Sequence, residues 1–268
     1  MSLIVTVYTS EGIVMASDSR TTQRVLVENQ GVKSFPLSDN ATKTFVTKWN
    51  YGISTCGAAS IDGLPLSGYI QAFLNSYKYD KASTTVQKFA DDLCNYFILL
   101  NLQDDLLFHV CGYDSVGQNY SQQIYKCVIS VNKSSKIKKV TLINNIKDNY
   151  GIAWDGQVEV MLRLIKQQML VSTVYDAKSA DLIFEDGTKQ KFDDVYTVLK
   201  KESTFIAKAN IDYNMMNLQD AVDFARFAIR TTIDTQRFLQ MEKTVGGPID
   251  VLIIKPQESI WVSSKELK

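Results

Sequence analysis

The sequence has little of what marks a metal-binding, secreted or membrane-spanning protein. Of its 268 residues, four are cysteine, four are proline and one is histidine. The cysteines stand far apart and form no CxxC pair, so with a single histidine they supply no zinc site. No apolar run approaches the ~20 residues of a membrane span, and the first residues lack the basic-then-apolar pattern of a signal peptide. We therefore expect buried free thiols, neither metal nor cofactor, and a cytoplasmic location.

Charge gives no indication of a polyanionic partner. Lysine plus arginine number 29, and aspartate plus glutamate also number 29. A chain without net charge is not predicted to bind nucleic acid or an anionic membrane. The lysine-rich run at residues 133–139 alternates with serines and β-forming residues, which is typical of a solvated hairpin edge. Hydrophobic residues make up 45% of the chain, enough for a sizeable core without disulfides.

The chain opens with the pattern of a tight β-hairpin. Leu3–Tyr8 is rich in β-branched residues, Glu11-Gly12 provides a turn, and Ile13–Ala16 resumes the apolar run. This hairpin begins essentially at residue 2. After a polar stretch, two further strands are predicted at Thr44–Thr47 and Gly52–Cys56.

Periodicity and capping patterns predict four long helices. Apolar residues recur at helical spacing over 66–77, and Thr84-Thr85-Val86-Gln87 has the pattern of a capping box before the second helix. The third, Gln157–Leu170, is apolar almost all round and should be well buried. The fourth is predicted to begin after Asn217 as N-cap, with Asp220 in its first turn.

Strand patterns return between and after the helix pairs. They are predicted at Leu106–Tyr113, Gln123–Val131, Lys139–Ile143, Ile249–Lys255 and Ile260–Ser263. Asp186-Gly187 between two β-forming runs indicates one more hairpin. Segregated runs of strands and helices predict an α+β protein in which sheets stack on each other with helices outside, as a single domain spanning 1–268.

The residues best suited to chemistry lie near the front of the chain. They are Ser2, Gly12-Ile13-Val14-Met15-Ala16-Ser17-Asp18-Ser19-Arg20, Lys43 and Cys56-Gly57-Ala58-Ala59. Asp18 follows Ser2 by sixteen positions, and Arg20 follows Asp18 by two. Lys43 precedes Gly57 by fourteen. In residue types and spacings this set resembles the proteasome β-subunit family, most closely its bacterial relatives.

The resemblance implies an N-terminal-nucleophile hydrolase with a four-layer α/β/β/α sandwich of two antiparallel sheets. Ser2, exposed by removal of Met1, would be the nucleophile, and Gly57 would lend its amide to an oxyanion hole. Asp18 would hold Lys43 beside the nucleophile. The resemblance further implies a homo-oligomeric ring or stacked assembly that cleaves a peptide or amide substrate, and it leaves open whether an unfoldase partner exists.

Ordinary pKa values make such a site chemically coherent. A hydroxyl is a poor nucleophile until a base takes its proton. An α-amino group has an ordinary pKa near ~8, so on the same residue as the hydroxyl it can serve as that base, directly or through one water. A neighbouring ammonium such as that of Lys43 favours the alkoxide and keeps the α-amine neutral.

Other parts of the chain match the family less evenly. Val245–Asp250 resembles the family's Gly-Gly segment before the last strand pair, and residues about 173–213 form an insertion. Ser2 stands where the family usually has threonine, and Asp155 where it has a serine. A carboxylate there would hold the α-ammonium or act as a substitute acceptor. Asp212 is the nearest candidate for the family's second aspartate, one position out of register.

Three functions are therefore compatible with the sequence. The first is a peptide or amide hydrolase using Ser2, and the second is an inactive proteasome-like scaffold in which Ser2 stays behind Met1. The third is an amidase of small metabolites with the same nucleophile. His109 lies in an apolar strand context and is predicted to be a core histidine with its hydrogen bonds satisfied, not a catalytic one.

Overall fold

A computed structural model describes residues 2–27, 31–80, 83–132, 135–144, 149–166, 181–183, 189–191, 211–239 and 242–265. The chain divides into two compact units: Met1–Val160 with Tyr213–Lys268, and Met161–Asp212. The insertion expected at about 173–213 falls almost entirely within the second unit, and the single-domain assignment stays a prediction. No helix among the described residues combines the length and the apolar character needed to span a membrane.

Short strands dominate the secondary structure. In chain order they are β1 Leu3–Thr9, β2 Gly12–Ser17, β3 Thr21–Val27, β4 Gly31–Ser38, β5 Thr44–Val46, β6 Gly52–Gly57, β7 Ser60–Ile61, β8 Leu64–Pro65, β9 Leu106–Val116, β10 Asn119–Asn132, β11 Ser135–Leu142, β12 Gly151–Gly156, β13 Asp181–Ile183, β14 Lys189–Lys191, β15 Asp250–Ile254 and β16 Ser259–Ser263. The helices are α1 Leu66–Ser76, α2 Val86–Ile98, α3 Glu159–Lys166 and α4 Leu218–Phe238, and a 3-10 turn spans Tyr213–Met215.

Two five-stranded antiparallel sheets form the centre of the first unit. Sheet 1 has the strand order β12-β1-β2-β15-β16, and sheet 2 has the order β11-β10-β9-β6-β5. Strands β1 and β2 contact β6, and β15 contacts β5, so the two sheets pack on each other. The prediction of an α+β protein built on antiparallel sheets is confirmed.

Burial of the first hairpin on both sides shows how sheet 1 is covered. Every residue of β1 and β2 is buried. One face meets sheet 2 through a cluster that includes Ile13, Met15 and Leu252. Helix α4 packs against β1 and β2. Because β1 begins at Leu3, the residue before it is placed at the end of a fully buried strand.

Sheet 2 carries a larger apolar core on its helix side. Helix α2 packs against β9, β10 and β11. Aromatic rings dominate this core, as where Phe97 lies 5.1 Å from Phe108 and Phe89 lies 5.0 Å from Tyr77, measured between ring centroids. All four cysteines are buried and free, as expected.

The predicted helix caps are confirmed at one site and displaced by one residue at another. Asn217 caps α4 through a reciprocal capping box with Asp220, as predicted. The N-cap of α2 is Thr85, whose side chain accepts a hydrogen bond from the amide of Lys88, and not Thr84. Thr84 is engaged elsewhere, because its hydroxyl accepts from the amide of Asp80. The capping-box pattern favoured Thr84 because Gln87 follows it by three residues, whereas Lys88 follows Thr85.

The lysine-rich edge and the later hairpin also have structural counterparts. β11 is the outer strand of sheet 2, and of its lysines Lys136 donates to the carbonyls of Ile98 and Leu100 at the end of α2. That is a favourable place for a cation.

In the second unit β13 and β14 pair antiparallel, whereas the predicted Asp186-Gly187 turn lies outside the described residues. So does the part of the third predicted helix beyond Lys166.

Candidate active site

Ser2 is held at the open end of β1 by the strand beside it. The residue is 6% exposed. Leu3 lies opposite Gly156 in the β1–β12 ladder, and the amide of Gln157 donates to the Ser2 carbonyl at 2.7 Å. Gly156 has a φ of +103°, and a Cβ there would lie 1.9 Å from the Ser2 oxygen. Only glycine permits this approach, so Gly156 is required to seat Ser2.

The Asp18 carboxylate accepts hydrogen bonds from the start of β1, from the residues after β2 and from a distant loop. Its Oδ1 accepts hydrogen bonds from the Leu3 amide at 3.0 Å and from Lys43 Nζ at 2.7 Å. Its Oδ2 accepts from the amides of Arg20 at 3.1 Å and Gly246 at 3.0 Å. The side chain of Asp18 is completely buried. Four donors make this a rigid, satisfied anion.

Lys43 is the cation of this pair and is also almost fully buried. Besides Asp18, its ammonium donates to the carbonyl of Arg20 at 2.6 Å. Burial lowers the pKa of Lys43, against the opposing influence of Asp18, which favours the charged form. Lys43 is thereby held in one orientation, and its pKa lies closer to neutrality than that of a surface lysine.

Gly57 ends β6 in a conformation that excludes other residues. Its φ is +101°, and a Cβ there would lie 2.3 Å from the carbonyl oxygen of Asp105. That same oxygen accepts the amide of Ala58 at 2.9 Å. The chain is thus turned sharply at the place where the sequence predicts an oxyanion-hole glycine.

Ser2, Lys43 and Gly57 line one cleft of about 1160 Å³. The β3–β4 hairpin borders it with Thr21, Gln23 and Leu37 among others. The remaining walls come from the segments around β6 to β8, from residues 103–105 and from β9 and β10; they include Cys56, Ala58, Ala59, Ser60, Gly63, Pro65, Leu66, Gln103, Asp104, Asp105, Leu107 and Val131. Ser2, Lys43 and Gly57, which the resemblance assigns to the site, therefore line the same cleft. Asp18 is connected to it through its hydrogen bond with Lys43.

Asp155 lies opposite Ile4 in the β1–β12 ladder and has partners that the sequence did not reveal. Its Oδ2 hydrogen-bonds to His109 Nε2 at 2.9 Å, and its Oδ1 accepts from Lys126 Nζ at 2.5 Å. Burial by itself would raise the pKa of Asp155, but the hydrogen bonds and charges of His109 and Lys126 together hold it below the ordinary value. Asp155 is therefore an anion with a donor on each oxygen.

His109 is a buried, satisfied histidine, as predicted. It is fully buried on β9, and its Nδ1 hydrogen-bonds to the Thr6 hydroxyl at 2.9 Å. Its second bond, to Asp155, places it next to a predicted site residue. Spacing could not reveal this contact, because the two residues are 46 positions apart.

Asp212 is exposed and belongs to the second compact unit, and its assignment to the site stays a prediction.

Further polar residues support the turn after β2. Arg20 forms a two-pronged ion pair with Asp39, through Nε at 2.6 Å and Nη2 at 2.8 Å. Ser19 accepts a hydrogen bond from Lys265 Nζ at 2.9 Å, and Lys265 also pairs with the buried Asp250. Asp250 belongs to the quoted Val245–Asp250 segment, but no pattern in the sequence indicates Lys265 as its partner.

Comparisons with known proteins identify no relative: no protein-family model matches the chain, and no curated protein sequence is significantly similar to it.

Proposed function

We propose that this protein is an N-terminal-nucleophile hydrolase with a four-layer fold of the proteasome β-subunit type, in which Ser2 attacks a peptide or amide bond after removal of Met1. The packing of sheet 1 on sheet 2, with α4 against one and α2 against the other, supports the layer order. The homo-oligomeric assembly that the resemblance implies, and the cytoplasmic location expected from the sequence, belong to the same proposal.

One observation carries the proposal: Ser2, Lys43 and Gly57 line a common cleft, and Asp18 binds both the chain next to Ser2 and the ammonium of Lys43. A buried ion pair beside a hydroxyl at a cleft has a catalytic use, which is to stabilise an alkoxide and keep a neighbouring amine neutral. Any one of these residues alone would be adequately explained as structural.

The reaction would proceed by acyl transfer. The α-amino group of Ser2 takes the proton from Oγ as Oγ bonds to the substrate carbonyl carbon, and the Gly57 amide faces the resulting oxyanion. The C–N bond then breaks, and the leaving amine departs with the proton from the α-ammonium. Water attacks the ester carbon and gives a proton to the α-amine. The C–Oγ bond breaks, Oγ recovers its proton, and the carboxylic acid leaves.

The dimensions of the cleft favour a peptide over a small metabolite. Pockets for small molecules are typically ~300–1,000 Å³ and bury most of the ligand. This cleft has about 1160 Å³ and is bordered by the exposed apolar side chain of Leu37. Such a groove suits an extended chain better than a compact amide.

The test begins with intact-mass analysis, which should show loss of Met1. The processed protein is then incubated with a β-lactone, whose ring is opened by a serine alkoxide to leave a stable ester. We expect labelling at Ser2 that disappears in Ser2→Ala and falls at least about 100-fold in Lys43→Ala. Retention of Met1, or equal labelling of wild type and Ser2→Ala, would overturn the proposal and favour a scaffold.

A further inference from the structure

A chain of buried and half-buried hydrogen bonds connects the two sheets beside the first half of β1. It runs from the Thr6 hydroxyl on β1 to His109 on β9, from His109 to Asp155 on β12, and from Asp155 to Lys126 on β10. Thr6 and His109 are fully buried, and Asp155 is 9% exposed. We call these four residues the Asp155 network. The proposed acyl transfer uses none of them.

Strand register places this network beside the nucleophile. Asp155 lies directly opposite Ile4 in the β1–β12 ladder, and the Gln157 amide continues the pairing to Ser2. Side chains alternate along a strand, so Ile4 and Thr6 project from one side of β1, and the same alternation continued by one residue before the strand places Ser2 on that side. Asp155 projects from that side too, which makes Ser2 and Thr6 its two diagonal neighbours. Diagonal neighbours in antiparallel pairs lie about 7–8 Å apart, with Cβ atoms somewhat closer.

We infer that Asp155 orients the α-amino group of the processed Ser2 from behind, and that His109 and Lys126 are positioning residues that hold this carboxylate and balance its charge. The inference rests on the proposed function. An α-amine that serves as base must direct its lone pair at its own Oγ, so an acceptor for its N–H on the opposite side fixes the productive orientation. Asp155 is the carboxylate diagonal to Ser2 in the ladder between β1 and β12, which is the position that supports this role.

The charges around Asp155 explain how a carboxylate can lie near the Ser2 α-amino group without weakening it as a base. An isolated anion beside the α-ammonium would raise its pKa and weaken it as a base. Lys126 provides a compensating cation on the far oxygen, and His109 occupies the other oxygen. The net field at Ser2 is therefore smaller than that of a bare carboxylate.

Other titratable groups belong to elements packed around Asp155 and Ser2 and stay unchanged in the test. Lys43 and Asp18 meet at the amide of Leu3, and the charges of Asp155 and Lys43 act in opposite directions on the pKa of the Cys56 thiol of β6. Burial raises that pKa to about 12, so Cys56 remains neutral. The 3-10 turn contacts β1 and β12, but its Tyr213 packs against Phe224 of α4; burial raises the pKa of Tyr213 to about 12.

The two charged partners predict opposite shifts, which a purely structural role would not produce. Asp155→Asn removes the anion and should lower the pKa of the Ser2 α-amino group by roughly 0.5–1 unit. Lys126→Met leaves the anion uncompensated and should raise that pKa by a similar amount. His109→Gln retains a donor toward Asp155 and should leave the pKa within about 0.3 unit.

The α-amino pKa is measured by competitive labelling with acetic anhydride over a pH series, with the N-terminal peptide quantified by mass spectrometry. All variants keep Ser2, and added methionine aminopeptidase completes removal of Met1. The pH dependence of β-lactone labelling is recorded in parallel, and its acidic limb should move with the measured pKa. If either Asp155→Asn or Lys126→Met fails to fold, the direction of the α-amino pKa shift in the other variant still tests the inference.

The outcomes separate this inference from the proposed function. Opposite pKa shifts without any β-lactone labelling would support the network and overturn the hydrolase. Labelling at Ser2 with both variants shifted in the same direction, or neither shifted, would overturn the network and leave the hydrolase standing. An amine that cannot be exposed at Ser2 by the aminopeptidase would overturn both.

Discussion

Lys43 Nζ lies 2.7 Å from Asp18 Oδ1, with side-chain exposures of 6% and 0%. The two residues are 25 positions apart and belong to segments of different sheets, since Asp18 follows β2 of sheet 1 and Lys43 precedes β5 of sheet 2. The same Asp18 oxygen accepts the amide of Leu3, so the ion pair is also tied to the residue that follows Ser2. Stability and the proposed reactivity therefore depend on one set of atoms, and variants must be chosen to separate them.

Replacing Lys43 by methionine should cost stability as well as labelling. It leaves the Asp18 carboxylate buried without its cation, and breaking a buried pair in this way costs about 3–5 kcal/mol of the free energy of unfolding. Urea denaturation measures the loss. The double variant Asp18→Asn with Lys43→Met should recover part of that stability while β-lactone labelling stays absent. Recovery of labelling in the double variant would contradict the role given to Lys43.

Gly57→Ala should be far more damaging than the same change at Gly63. Both glycines have positive φ, but a Cβ at Gly57 meets the Asp105 carbonyl oxygen, whereas one at Gly63 meets nothing within 4 Å. We expect a loss of about 2–4 kcal/mol at Gly57 against roughly 1 kcal/mol at Gly63. Guanidinium unfolding of the two variants side by side gives the comparison, and equal losses would be inconsistent with the close approach at Gly57.

Asp155 should stabilise the protein in a pH-dependent way. Its folded-state pKa lies below the ordinary value, so its contribution is present above the unfolded pKa of ~3.9 and disappears as pH falls through the folded one. The stability difference between wild type and Asp155→Asn should therefore be largest at neutral pH and shrink below about pH 4.

Asp91→Asn provides the control for that pH series. Asp91 forms a half-exposed ion pair with Lys138 at 3.4 Å. Its removal should change the free energy of unfolding by less than about 0.5 kcal/mol at neutral pH. A difference between wild type and Asp155→Asn that stays constant from pH 7 to pH 3 would show that the effect arises from packing and not from the charge of Asp155.

Lys265 near the C-terminus should be a stabilising residue and not a disposable tail. Lys265→Met leaves Asp250, with 3% side-chain exposure, without its cation, and we expect a loss of about 3 kcal/mol. The matched control is Lys255→Met, which removes an exposed pair with Glu258 and should cost at most about 0.5 kcal/mol. Thermal unfolding compares them, and similar melting temperatures for the two variants would contradict the anchoring of Asp250.

Local patterns were sufficient to predict most elements of the first unit. Alternation and turn residues predicted the β1–β2 hairpin, and the Asn217–Asp220 capping box marked the start of α4. The same kind of evidence was one residue out at α2, because the capping-box pattern of Thr84 and Gln87 is not used and the Thr84 hydroxyl accepts from the Asp80 amide instead. Strand β12 had no clear signal of its own. Its place beside β1 comes from pairing with residues about 150 positions earlier.

The sequence by itself was enough to select Ser2, Asp18, Lys43 and Gly57, because their types and spacings resemble those of the proteasome β-subunit family. Only the tertiary structure decided the surroundings of Asp155. Its partners His109 and Lys126 lie 46 and 29 positions away, on strands of the opposite sheet. Such contacts depend on how one sheet is stacked and registered on the other. That arrangement is set by the packing of the whole core, so no local pattern of residues encodes it.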